Sequence, residues 1–275
     1  MIHSIHQTIF YLHVMLGSIA LIAFWLPIFS KKGSKRHIQS GKAFAWSMYA
    51  VSISGLIMTI MALAFPIATY AISPEVVGDK LLWTIERIRN LNSFLFMLSL
   101  LVFCTTHHAL MVVKHKTDRD ALKTSNYLLP VILLGISGLI MIGWGAQKTN
   151  ILHMVFGGIS AFASFGIIQY VFRKDVAINA WLIEHFSGLI GSGIGAYTAF
   201  FAFGGRRVLD HIFVGYLQLI PWIAPSIIGI AFTMWLTRKY SIKKSKSAQN
   251  QASSMSSLNN EVANAPLGSE KVSSS

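Results

Sequence analysis

The chain has 275 residues, of which 53% are hydrophobic and only 12% are charged, and its mean hydropathy is +0.56. This composition excludes an ordinary soluble domain and predicts a membrane protein. The net charge of +13 would favour nucleic-acid binding if the bases shared one face, but they are divided among several short segments between apolar stretches, so no nucleic-acid partner is expected.

Seven apolar stretches of about 20 residues follow one another, each long enough to cross a bilayer as a helix. They fall at residues 8–29, 43–65, 91–113, 126–146, 151–172, 181–203 and 212–236. The first has no basic region before it and no small-residue cleavage site after it, so we expect it to be retained as a span. The predicted fold class is all-α, a polytopic transmembrane helical bundle.

The segments between the spans differ in their content of Lys and Arg. Residues 30–42, 114–125, 173–180 and the membrane-proximal part after 237 together carry 16 of these bases, whereas the alternate set carries 6. The bias of bases toward the cytoplasm predicts that the N-terminus lies outside and the C-terminus lies in the cytoplasm. Residues 1–240 form the predicted membrane domain. Residues 241–275, with 11 Ser in 35 positions, form a predicted disordered tail.

Three further patterns concern single segments. The segment 73–90, "SPEVVGDKLLWTIERIRN", has apolar residues at helical spacing and predicts a short amphipathic helix at the membrane interface. Pro221 and Pro225 predict a kink in the seventh span, either packed or lining a cavity. "ISGLIM" occurs at 53–58 and 136–141, and "LHVMLGSI" at 12–19 resembles "LHMVFGGI" at 152–159, which indicates either duplicated hairpins or chance recurrence.

Histidines are the most distinctive polar residues of the spans. Seven lie at or near span ends: His13, His37, His107, His108, His153, His185 and His211. In all of these except His107 and His108, a glycine follows three or four positions later. Residues at that spacing share a helix face, and small residues mark helix contacts in lipid, so we expect the rings to point inward. Their positions predict two tiers about 15 to 18 Å apart.

Three hypotheses account for these histidines. In the first, a b-type haem in each tier is ligated by imidazoles for electron transfer across the bilayer. Its cofactor-binding residues would be His13, His107, His108, His153, His185 and His211. In the second, His37, Glu184 and His185 bind a metal ion or relay protons. In the third, the histidines are structural and Glu184 reaches cytoplasmic water.

No hydrolase, phosphate-loop or metalloprotease motif occurs, so no catalytic residue is predicted and the chain would be at most a cytochrome b-like redox component. The segments "LHVMLGSIAL", "KKGSKRHIQSGKAF" and "WLIEHFSGLIGSGIGAYTAF" resemble, over residues 12 to about 200, a family of uncharacterised, mostly bacterial polytopic membrane proteins classed as a predicted membrane protein domain of unknown function. The matching positions are His13, Gly17, Lys32, Gly33, His37, Gly41, His185, Gly191 and Thr198 to Phe200. The resemblance implies a membrane bundle with histidines at fixed positions.

The sequence therefore predicts a multi-pass integral membrane protein of the cell membrane, with a bacterial inner membrane as the expected location. Its expected surroundings are the lipid bilayer, together with a redox partner or a small solute. Haem b in two tiers of histidines is the preferred function. The alternative is a transporter of a small solute, a metal ion or protons, or a membrane assembly factor with structural histidines.

Overall fold

A computed structural model of the chain describes residues 1–177, 179–205, 217 and 220–240. Within these residues the structure is all-α and contains no strand, and seven helices are long and apolar enough to cross a membrane. The predicted fold class is confirmed. The side of the membrane on which each end lies stays a prediction from the distribution of basic residues.

The helices are numbered in chain order, and a single π-helical turn, Phe200–Gly204, extends α7. Their bounds are α1 Ile2–Phe29, α2 Lys35–Ala64, α3 Pro66–Tyr70, α4 Gly78–His115, α5 Ser125–Gln147, α6 Ile151–Phe172, α7 Ala180–Ala199 and α8 Ile220–Tyr240. The chain divides into two units, Met1–Gly229 and Ile230–Ser275, and every site described below lies in the first. The predicted tail, residues 241–275, lies outside the described residues.

Helix α4 differs most from the prediction. It runs without interruption through 38 residues, about 57 Å at 1.5 Å per residue, so it is longer than a bilayer span requires. The predicted interface helix is therefore the first part of α4 rather than a separate element. No glycine or proline follows Gly78 in this helix, and nothing in the backbone chemistry ends it before His115.

One other helix begins at a position that changes the interpretation of a particular residue. Helix α1 begins at Ile2, which places His13 near the middle of that helix rather than at its outer end. The described part of α8 runs from Ile220, and residues 218–219 lie outside the described residues, so the kink at Pro221 and Pro225 stays a prediction.

The packing is built around α4, which contacts α2, α5, α6 and α7, while α1 packs mainly on α2 and α5 mainly on α6. The α1–α2 and α5–α6 pairs each contain one copy of both recurring motifs, and in each pair the two motifs pack against each other. An added Cβ at Gly55 of α2 would lie 3.6 Å from Cε1 of His13 in α1, and one at Gly138 of α5 would lie 2.7 Å from the carbonyl oxygen of Gly157 in α6. The "ISGLIM" motif comes second in the α1–α2 pair and first in the α5–α6 pair. An origin of the two pairs by duplication stays a prediction.

Candidate functional site

Three polar side chains from three helices meet at the end of the bundle where α4 finishes. His108 of α4 lies between Tyr127 of α5 and Glu184 of α7. Its Nδ1 lies 2.5 Å from the hydroxyl oxygen of Tyr127, and its Nε2 lies 3.1 Å from Oε2 of Glu184. We call these three residues the Glu184 network.

The Glu184 network is buried on one side and open on the other. His108 is 2% exposed and Tyr127 is 4% exposed, whereas the side chain of Glu184 is 33% exposed. Tyr170 of α6 lies against His108 edge-on, with ring centroids 5.4 Å apart. The carboxylate is thus the member of the network that reaches the surface of the bundle.

Arg119, in the loop between α4 and α5, binds the end of α6 beside this network. Its guanidinium donates hydrogen bonds to three backbone carbonyls at the end of α6, those of Tyr170, Arg173 and Lys174. These carbonyls have no partner within the helix, and a guanidinium satisfies several of them at once. Arg119 therefore holds the end of α6 and, with it, the ring of Tyr170.

A second histidine follows immediately on α4 but has different partners. Nδ1 of His107 lies 2.8 Å from the hydroxyl oxygen of Tyr49 on α2, and its ring stacks on Phe103 with an interplanar angle of 5°. The ring of His107 also lies 5.6 Å from that of Tyr127, measured between centroids. The two adjacent histidines thus share the Tyr127 ring as a neighbour but hydrogen-bond to different helices, His107 to α2 and His108 to α5 and α7.

Three other predicted histidines use Nδ1 to join helices. Nδ1 of His13 lies 2.9 Å from the hydroxyl of Ser54 on α2, Nδ1 of His37 lies 3.0 Å from the carbonyl oxygen of Pro27 on α1, and Nδ1 of His185 lies 2.9 Å from that of Ala109 on α4. A carbonyl only accepts, so the rings of His37 and His185 carry a proton on Nδ1. Their Nε2 atoms are the nitrogens left for a further partner.

His153 has a different environment. It is 5% exposed, and its Nδ1 has no hydrogen-bond partner among the described residues. Its ring lies 5.1 Å from that of Phe94, which in turn contacts Phe156 and Trp222. We call His153, Phe94, Phe156 and Trp222 the His153 cluster. Phe94 and His108 are 14 residues apart on α4, or about 21 Å along the helix.

The predicted site residues are therefore only partly brought together. Glu184 bonds to His108 rather than sharing a site with His185, although the two are adjacent on α7. The described residues contain no group of three or more His, Cys, Asp or Glu that could hold a metal ion. His211 lies outside the described residues.

Tyr127 and Tyr49 are the site residues that the sequence did not reveal. Tyr127 lies near the start of α5 and Tyr49 lies in the middle of α2, and aromatic residues also occur in spans simply as membrane-interface anchors or packing residues. A tyrosine that hydrogen-bonds to a histidine of another helix has no local pattern that separates it from such an anchor. Only the pairing of α2 and α5 with α4 brings the hydroxyls to the imidazoles.

No family model, curated protein or solved structure matches the chain. Membership of the family that the motifs resemble therefore stays a prediction. What the length and apolar character of the seven helices support is a polytopic integral membrane protein embedded in a lipid bilayer.

Proposed function

We propose that this membrane protein accepts and transfers protons through the Glu184 network, as part of proton-coupled transport or proton exchange. The observation that carries the proposal is the placement of one buried imidazole within hydrogen-bond distance of both a carboxylate and a phenol. Ionisable groups inside a membrane bundle are costly to bury and commonly form proton pathways.

The chemistry of the Glu184 network follows from the two nitrogens of His108. When Nε2 carries the proton, it donates to the carboxylate of Glu184, and Nδ1 accepts from the hydroxyl of Tyr127. In the other tautomer Nδ1 carries the proton and Nε2 accepts from a protonated Glu184 carboxyl. Transfer of that carboxyl proton to Nε2 gives an imidazolium, which releases its Nδ1 proton to the oxygen of Tyr127 as the phenol passes its own proton on to water. The ring thus connects the half-exposed carboxylate with a buried hydroxyl.

Further hydroxyl groups lie beyond the network in the interior of the bundle. The hydroxyls of Thr106, Ser160 and Thr198 are buried and have no hydrogen-bond partner among the described residues. Buried hydroxyls are normally hydrogen-bonded to protein or to ordered water. Their presence supports a hydrated path that continues from the network toward the other side of the bundle.

Proton flux into liposomes tests this proposal. The purified protein is reconstituted with a pH-sensitive dye inside, and an electrical potential drives protons inward. We expect Glu184→Gln and His108→Gln each to lower the flux about a hundredfold, since a positioned proton-transfer group contributes about that factor. Unchanged flux in both variants would refute the proposal.

The matched control is Glu86→Gln. This carboxylate is also on a helix, α4, and also forms an ion pair, with Nζ of Lys148 at 2.9 Å, but the pair is exposed. Its removal takes away the same negative charge without touching the Glu184 network. The flux should stay at the level of the unmodified protein.

Haem b is a second candidate, supported by the ring nitrogens of three predicted ligands. In His13, His107 and His185 a hydrogen bond engages Nδ1, which leaves Nε2 in the arrangement that metal-binding histidines adopt. His108 differs, because both of its nitrogens lie within hydrogen-bond distance of a side chain. Soret absorbance of protein purified from haem-replete cells tests this candidate, and a band that His185→Ala and His13→Ala leave unchanged would count against these ligands.

A further inference from the structure

The loop between α1 and α2, together with the first two turns of α2, is strongly basic. Residues 30–42 contain no Asp or Glu and five bases, Lys31, Lys32, Lys35, Arg36 and Lys42. The ion pairs of the described residues include none of Lys31, Lys35 and Arg36. A group of bases without a neighbouring carboxylate creates a positive field that attracts an anion.

Two cationic or ionisable groups of this segment are held at the end of α1. Nζ of Lys32 donates to the carbonyl oxygens of Pro27 at 2.8 Å and Ile28 at 3.0 Å. Nδ1 of His37 donates to the same Pro27 oxygen. Carbonyls at the C-terminus of a helix favour positive charge, and here they fix the position of both side chains.

A third group comes from α7, which packs beside α1 and α2. Nδ1 of His185 donates to the Ala109 carbonyl. Leu189, one turn further along α7, packs on the cluster that α1 and α2 form around Phe44. A ring protonated only at Nδ1 has just a lone pair on Nε2, so each imidazole donates from Nε2 to a phosphate oxygen in its doubly protonated form, and an anion beside the rings favours that charged form.

We propose that Lys32, His37 and His185 bind the phosphate of an anionic phospholipid headgroup where α1, α2 and α7 come together. Large apolar side chains stand beside the bases, with Phe29 80% exposed and Ile38 50% exposed. An apolar surface directly next to a basic one fits a lipid, whose acyl chains continue from its phosphate. Basic sites between transmembrane helices are known places for such headgroups.

Lipid titration of the full-length protein in an uncharged detergent tests this inference. Native mass spectrometry would measure the binding of phosphatidylglycerol, phosphatidylcholine and inorganic phosphate. We expect phosphatidylglycerol to bind most tightly, and His37→Gln and Lys32→Gln each to weaken it about fivefold, which corresponds to about 1 kcal/mol. Inorganic phosphate that binds as tightly as phosphatidylglycerol would overturn the lipid as the source of the phosphate.

Matched controls separate a lost ligand contact from a damaged fold. Nδ1 of His3 donates to the carbonyl oxygen of Thr69 at 2.9 Å, the same kind of bond that His37 makes, so His3→Gln should leave lipid binding unchanged. The double variant Lys31→Gln and Arg36→Gln removes charge without removing a hydrogen bond to the end of α1, and it should also weaken phosphatidylglycerol binding. Equal binding of the two lipids, or equal losses in His3→Gln and His37→Gln, would overturn the proposal.

Discussion

The Glu184 network and the His153 cluster show how differently two buried histidines of one bundle can be held. Both nitrogens of His108 have polar partners on other helices, whereas Nδ1 of His153 has none among the described residues and its ring packs on Phe94. Hydrogen bonds therefore define the first region, and close apolar packing defines the second. A histidine near a span end is not by itself evidence for a polar site, because its partners decide its role.

Replacing each histidine by leucine would test this comparison most strongly. His108→Leu leaves a buried hydroxyl and a half-exposed carboxylate without their partner, and we expect it to lower the free energy of unfolding by about 3 kcal/mol. His153→Leu removes no hydrogen bond made by its ring to a described residue, so we expect a loss of about 1 kcal/mol or less. Denaturant unfolding in bicelles measures both, and similar losses would show that the two regions are held in the same way.

The close contact of α5 and α6 next to the His153 cluster should give the next largest change in the free energy of unfolding. A Cβ at Gly157 would lie 2.7 Å from the carbonyl oxygen of Gly138 and 3.0 Å from the backbone nitrogen of Ile142. Backbone atoms cannot move aside cheaply, so Gly157→Ala should lower the free energy of unfolding by about 2 kcal/mol.

The control for that variant is the next residue of the same helix. A Cβ at Gly158 meets nothing within 4 Å, and alanine favours a helix over glycine by about 1 kcal/mol. Gly158→Ala should therefore leave stability unchanged or raise it. A loss equal to that of Gly157→Ala would mean that the close approach of α5 and α6 does not determine the cost.

Removing one hydroxyl gives a smaller and more local effect. We expect Tyr127→Phe to lower the free energy of unfolding by about 1 kcal/mol, because Nδ1 of His108 loses a partner in a buried position. Tyr49→Phe removes the equivalent bond to His107, which is only partly buried, and should cost less. The same unfolding assay would compare them, and a larger loss in Tyr49→Phe would contradict the order.

The smallest effect concerns an exposed carboxyl in the loop beside the Glu184 network. A hydrogen bond from Lys123, with which Asp120 also forms an ion pair at 2.7 Å, lowers the pKa of Asp120 below its ordinary value. A lowered pKa in the folded state means that its stabilising contribution is present above the ordinary value of 3.8 and is lost as the pH falls through the folded value. Asp120→Asn should therefore leave the pH dependence of unfolding between pH 5 and 8 unchanged, and a change there would contradict this assignment.

The fold was predictable because its signal is repeated along the whole chain. Each span carries enough apolar residues to be recognised alone, and the structure contains seven such helices. The errors concern helix ends. Nothing in the composition of residues 78–90 shows that they continue into α4, and α1 includes six residues before the predicted span. Apolar content measures lipid contact, whereas a helix ends where its backbone conformation changes.

The candidate site was predictable only in its residue types. The spacing of His185 and Gly188 correctly indicated a face that packs closely on a neighbour, since a Cβ at Gly188 would lie 2.8 Å from the carbonyl oxygen of Thr105. The same spacing at His37 and Gly41 did not, because a Cβ at Gly41 meets nothing within 4 Å. The roles of the histidines as haem or metal ligands stay predictions.

The sequence by itself determined that this chain has seven helices long and apolar enough to cross a membrane and that it carries ionisable groups near the ends of these helices. Only the tertiary structure decided that Glu184 pairs with His108, 76 residues away, while its neighbour His185 bonds to a backbone carbonyl. Membrane insertion depends on the summed apolar character of one segment, which is a local property. A hydrogen bond between helices depends on which faces pack together, and that is settled by all of the helices at once.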